Sequence, residues 1–154
     1  AKQWGLVQFL ELASRLQAQG WRTAFVLGPA EVERGLDPVQ AAKDTSFLPE
    51  VLSPASLQEL SALLLQTRLV LGNDCGPLHL ASMHGVPGVA LFGPTSRRQW
   101  APEGLKALAS PVACRPCTLT TADITCTDVR CLQSLSMKQV AGALEETAAA
   151  GWEL

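Results

Sequence analysis

From Trp4 to Gln19, apolar residues at 6, 9, 10, 12, 13 and 16 trace a helical spacing with one stripe to bury. Gly20 follows where a left-handed residue would end that helix. "TAFVL", Thr23 to Leu27, is a continuous apolar run and predicts a short buried strand, broken by Gly28-Pro29. A short helix is expected near Glu31, whereas "GLDPVQAAKDTSFLPEV" shows no single period. Ser53 before Pro54 predicts an N-cap, with "PASLQELSALLLQT" as the helix it starts. Then come a strand "RLVLG", a helix "GPLHLASMHG" closed by Gly85, and a strand "GVALFG". The tail "SMKQVAGALEETAAAG" reads as a closing helix, with Ser136 and Gln139 at capping-box spacing.

Strands alternating with helices predict an α/β fold, a parallel sheet flanked by helices. At 154 residues, 47% of them apolar and 17% charged, the chain suits one globular domain over 1–154. A net charge of −2 gives no footprint for nucleic acid. The first residues do not read as a signal peptide, and no apolar run approaches the roughly 20 residues that span a bilayer, so a cytoplasmic protein is expected. A start without Met reads as a fragment of a longer chain or as a processed form.

Candidate chemistry gathers in "GNDCGPLHLASMHGVPGVALFGPT". In open α/β sheets ligands bind beyond the carboxyl ends of the strands, where Asp74 lies. The helix that starts near Gly76-Pro77 has unpaired N–H groups and a dipole that favour an anion. Gly76 admits close approach to the backbone, His79 reaches a hydroxyl or phosphate oxygen, and Asp74 accepts from hydroxyls. Together they suit a polyol phosphate such as a sugar nucleotide. An Asp before a helix is also a common N-cap, and a His on a helix is often structural, so spacing alone leaves both readings open. Cys75 and His79 invite a nucleophile–base reading, but Asn73 stands where a nucleophile elbow has Gly.

These residues resemble the signature of glycosyltransferase family 9, the ADP-heptose:lipopolysaccharide heptosyltransferases. The resemblance extends through "AKQW", "LGPAE", "SPASLQEL", "QWAPEG", "CRPC" and "CLQSLSMKQV", in the family's order. It implies a Rossmann-like domain, the C-terminal donor-binding half of a two-domain GT-B enzyme, with 1–154 as its single nucleotide-sugar-binding domain. The implied partners are ADP-heptose or a related nucleotide sugar and, through an N-terminal domain, the lipopolysaccharide core acceptor. No cofactor and no metal in the chemical step are implied. By this resemblance Lys2 pairs with the diphosphate, and Glu31, with Glu33 as rival, holds the ribose. Ser56 and Leu57 embrace adenine, Asp74 holds the sugar, Gly76 meets the phosphate, His79 is the donor-site histidine, and Thr95 lies on the adjoining loop. The lipid-linked acceptor implies peripheral contact with the inner membrane.

The sequence departs from the family's pattern in several places. Cys75 replaces the usual Ser or Thr with a weaker hydrogen-bond partner, and Ser96, Arg97 and Arg98 follow Thr95, after which Asp-Pro is frequent in the family. The family's first donor-domain strand would precede Lys2. A sheet lacking it would have open edges that invite self-association. The catalytic base is expected in the acceptor domain, so no catalytic residue is expected here, and the chain alone is expected to be inactive.

Residues 110–132 form a Cys-rich loop with Cys114, Cys117, Cys126 and Cys131. Their C-x2-C-x8-C-x4-C spacing fits a zinc knuckle imperfectly, so a structural zinc, a loop packed by reduced cysteines and a disulfide formed after purification all remain readings. The rival functions are another GT-B or Rossmann sugar-nucleotide enzyme, such as an epimerase, and a non-catalytic nucleotide- or zinc-binding module.

Overall fold

The structure, a computed structural model, describes residues 3–117, 126 and 130–150. The chain divides into two compact units, one of residues 5–60 and one built from 61 onward with the segment at Trp4, the boundary falling inside a helix.

The smaller unit holds α1 (Leu6–Ala18), β1 (Ala24–Val26), α2 (Pro29–Glu33), α3 (Pro38–Ala41), β2 (Glu50–Leu52) and the first turn of α4 (Leu57–Leu65). The stripe expected on α1 buries Leu10, Leu12 and Ala13, and Gly20 follows the helix at φ +89°. Leu10 and Ala13 pack with Ala42 and Phe47, joined by Leu6 and Phe25. β1 and β2 run parallel, Ala24 beside Glu50 and Val26 beside Leu52. Arg22 closes this pair with two bonds to Glu50, at 3.0 and 2.8 Å. Those bonds hold the Glu50 carboxyl below its ordinary range.

Two expectations change in this unit. The run at Thr23 is a strand, but not a buried one: Val26 is 42% exposed. Among the described residues β1 pairs with β2 alone, and a two-stranded sheet leaves much of each strand uncovered. The start of α4 is capped by Ser56 rather than Ser53. Ser56 Oγ accepts from Glu59 N–H at 3.2 Å, and Glu59 returns a carboxylate to Ala55 N–H at 2.8 Å. This reciprocal pair outcompetes a Ser-Pro start because it satisfies two orphan donors.

The larger unit holds the rest of α4, then β3 (Val70–Asn73), α5 (Gly76–Met83), β4 (Gly88–Phe92), α6 (Arg97–Trp100), β5 (Lys106–Ala109), α7 (Arg130–Gln133) and α8 (Met137–Ala150). Its strands form a parallel sheet in the order β3-β4-β5. Every residue of β4 is buried. Ala90 and Phe92 pack with Leu78 of α5, and Val89 and Leu91 point the other way by strand alternation. α7 and α8 also lie against β4, and the buried Leu132, Val140 and Leu144 supply their apolar faces. The capping box of α8 forms as expected: Ser136 N–H donates to Gln139 at 2.9 Å and Gln139 N–H to Ser136 Oγ at 3.3 Å. The pattern missed β2 and β5, because strands of three and four residues are too short to show a period. The expected loop 110–132 runs into α7, which takes Cys131 and Leu132.

Gly88 opens β4 where a Cβ would lie 2.5 Å from Val70 O, a backbone atom held in the sheet. Gly88→Ala should therefore lower the free energy of unfolding by about 2 kcal/mol or more, read as an earlier urea midpoint. An unchanged midpoint would mean that the β3–β4 spacing is not as tight as described.

Candidate functional site

In a parallel sheet all strands end on one side. The segments after β3, β4 and β5 therefore meet at one edge of the larger unit. Asp74 leaves β3 with its N–H donating to Leu91 O at 3.1 Å, and its Oδ2 accepts from Thr95 Oγ1 at 2.7 Å. Asp74 is thus not the N-cap. That position is Cys75, extended at φ −158°, whose side chain makes no capping bond. Gly76, exposed, opens α5, and a Cβ there would meet no atom of the described residues within 4 Å.

The two histidines of α5 and its C-cap differ. His84 Nε2 bonds Ser61 Oγ at 2.5 Å and is the structural histidine. The side chain of His79, half-buried on α5, makes no hydrogen bond among the described residues. Trp4 is buried, and its backbone N–H donates to Asn73 Oδ1 at 2.8 Å while Nε1 donates to Leu135 O at 2.9 Å. The opening segment is thereby tied beside the end of β3. Lys2 lies outside the described residues.

Thr95 is 4% exposed, inside a buried Gly93–Ser96 loop. Sequence reasoning missed what holds that loop. Cys117 N–H donates to Pro94 O at 2.8 Å. Arg115 Nε donates to Gly93 O at 2.9 Å, Nη1 to Ser110 O at 3.0 Å, and Nη2 reaches Thr95 O at 3.5 Å. Nothing in the pattern around Arg115 marks it, since its partners are backbone carbonyls, two of them on the loop after β4.

In the smaller unit, Glu31 and Ser56 follow the parallel ends of β1 and β2. Glu31 Oε2 accepts from Gly28 N–H at 3.2 Å, which fixes its carboxylate at the turn after β1, while Glu33 is exposed. Ser56 is engaged in its cap, and Leu57 is 66% exposed, an apolar side chain left open at the start of α4. The structure brings together Asp74, Cys75, Gly76 and Thr95 in one unit, and Glu31, Ser56 and Leu57 belong to the other.

None of the five cysteines is in a disulfide. Cys114, Cys117 and Cys126 are exposed, Cys131 is buried, and no group of three or more metal-ligating side chains assembles among the described residues. Burial pushes the Cys131 thiol up, and burial with the nearby Cys114 and Cys126 does the same to Cys117. Both shifts favour the protonated thiol and so slow its reaction with an electrophile.

Residues 1–125 match the family described as glycosyltransferase family 9 (heptosyltransferase). The chain belongs to that family. Lipooligosaccharide heptosyltransferase 2 of Campylobacter jejuni subsp. jejuni serotype O:2 is 27% identical over 144 residues, which are 91% of this chain and 44% of that protein. A solved glycosyl transferase family 9 protein from Veillonella parvula superposes with a TM-score of 0.78 at 25% identity, covering 97% of this chain and 42% of that one. The structure of Escherichia coli ADP-heptose lps heptosyltransferase II shares the fold, with a TM-score of 0.74 at 20% identity over 97% of this chain and 43% of that one. The chain spans less than half the length of these family 9 proteins.

The thiols give a direct check on this geometry. At neutral pH Cys131 should react with iodoacetamide on the order of ten times more slowly than the exposed Cys114, and catch up when the chain is unfolded. Peptide mass analysis over time reads this, and equal rates in the folded chain would contradict the burial of α7.

Proposed function

We propose that this chain is the donor-binding domain of a heptosyltransferase, with residues 1–154 acting together as one nucleotide-sugar-binding domain. The observation that carries the reading is the Asp74–Thr95 pair beside the open start of α5, at the carboxyl edge of a parallel sheet, within the block that matches family 9. The ligand is ADP-heptose or a related nucleotide sugar. The name of the Escherichia coli neighbour, which specifies ADP-heptose, supports that choice.

Each residue has a role that its chemistry suits. The first amides of α5, with Gly76 leaving room, face a diphosphate, and Lys2 adds a point charge. Asp74, oriented by Thr95, accepts from sugar hydroxyls through the capacity that Thr95 leaves unused. His79 donates to the ligand, and Glu31 accepts from ribose hydroxyls. Leu57, with the backbone at Ser56, offers the apolar contact that an adenine needs. Cys75 contributes a thiol where a hydroxyl would bind more strongly. In the transfer, the bond from the anomeric carbon to the diphosphate breaks, ADP departs, and the acceptor oxygen bonds to that carbon with inversion. The base that takes the acceptor's proton belongs to an acceptor domain, so this chain binds and orients the donor without turning it over.

The acceptor is the lipopolysaccharide core. Among the described residues no helix is long and apolar enough to cross a membrane, and we place the protein in the cytoplasm, peripheral to the inner membrane. Self-association through a sheet edge that is unpaired among the described residues belongs to the same reading. Family membership favours this reading over an epimerase or a non-catalytic module.

Calorimetric titration of the chain with ADP, with UDP and GDP as controls and no added metal, tests the proposal. Selective ADP binding is expected, weakened about tenfold or more in Asp74→Ala and in Lys2→Ala, the loss of a charge-assisted contact. Failure to bind ADP, or equal binding of all three nucleotides, would sink it.

A further inference from the structure

We propose that Arg115 is a positioning residue: it braces the Gly93–Ser96 loop so that Thr95 presents its hydroxyl to Asp74. What the pair binds rests on the donor reading above, but the brace itself stands on geometry. A guanidinium is planar, with donors spread around a rigid fork. Here the fork meets the carbonyls of Gly93 and Thr95, which follow β4, and of Ser110, which follows β5. One side chain therefore ties two strand-end loops together. The backbone beside it adds the bond from Cys117 N–H to Pro94 O. The far anchor is firm as well, because Ser110 is buried and its Oγ bonds Ser134 Oγ at 2.5 Å and accepts from Val112 N–H at 3.2 Å.

The placement of this cation is unusual. Arg115 is half-buried, and it takes part in none of the ion pairs among the described residues, which join Arg15, Arg22 and Lys106 to carboxylates. A half-buried cation satisfied by carbonyls alone is a structural clamp rather than a surface charge. At the other end of the clamp, Thr95 uses its carbonyl toward Arg115 and its hydroxyl toward Asp74. The chain of contacts thus runs from the segment between Cys114 and Cys117, through the buried loop, to the carboxylate at the end of β3. This gives the Cys-rich segment a task that needs no metal: it carries the arginine that orders the site.

The test measures amide hydrogen exchange, residue by residue, in the full chain and in Arg115→Met and Arg115→Lys. The Cys117 amide reports the brace through its bond to Pro94 O, and the Asp74 amide, bonded to Leu91 O, is the internal reference. In Arg115→Met the Cys117 amide should exchange about tenfold faster relative to Asp74, the scale of a hydrogen bond to a charged group. Arg115→Lys keeps the charge and stem without the fork, so it should recover the thermal midpoint and leave that ratio raised. It also carries the ratio test should Arg115→Met not fold. In ADP titrations, Arg115→Met added to Thr95→Val should weaken binding no more than about twofold beyond Thr95→Val alone, because Arg115 acts through Thr95. An unchanged Cys117 ratio, or fully additive losses in the double variant, would overturn the proposal. A chain that binds no ADP would count against the donor reading, and the exchange ratio would then decide the role of Arg115 by itself.

Discussion

The burial of β4 on both faces is the constraint on which the larger unit depends. A strand covered by α5 on one side and by α7 and α8 near the other has no freedom to slip register. Any shift by one residue would exchange Ala90 and Phe92 with Val89 and Leu91 and break both packed layers at once. Gly88 lets Val70 approach at one end, and Gly93 lets Leu132 approach at the other, where a Cβ would lie 2.7 Å from its side chain. Both glycines answer to close packing rather than to an unusual backbone angle.

A strand held so firmly delivers its carboxyl end to one place. The loop after Phe92 is itself buried, and the carboxylate of Asp74 meets it through a hydroxyl whose own residue is locked from behind. Trp4 does the corresponding work at β3, where its backbone N–H caps the side chain of Asn73 and its indole reaches Leu135 beyond α7. The residues with candidate chemistry are therefore presented by others that have none. Preorganisation of this kind matters for a polar ligand, because loops that must be ordered on binding subtract from the affinity gained.

The smaller unit is built to a different standard. Its strands have three residues each, and the β1–β2 pair closes with the exposed contact between Arg22 and Glu50. An exposed ion pair contributes little to stability. The core made by Leu10, Ala13, Ala42 and Phe47 carries that unit instead. Glu31 and Ser56 are each held by local caps, so their positions depend on nearby backbone and less on the sheet.

By itself the sequence determined the features that depend on neighbours along the chain. The stripe of α1, the turn at Gly20, the capping box of α8 and the run of β4 were legible because each rests on spacings of a few residues. The candidate block around Asp74 was legible for the same reason, as strand, turn and helix start are contiguous there. Tertiary structure decided the rest. β2 and β5 gained identity only from the strands beside them, and Val26 stayed open because β1 pairs on one side only among the described residues, whereas the Ser56–Glu59 cap is as local as the others, a spacing of three that the Ser-Pro pair at 53 overshadowed. That His84 is the satisfied histidine depends on Ser61, and that Asp74 orients toward Thr95 depends on a loop twenty-one positions away. Arg115 is the plainest case: its partners are carbonyls, which every residue possesses, so no pattern of side chains could have announced it.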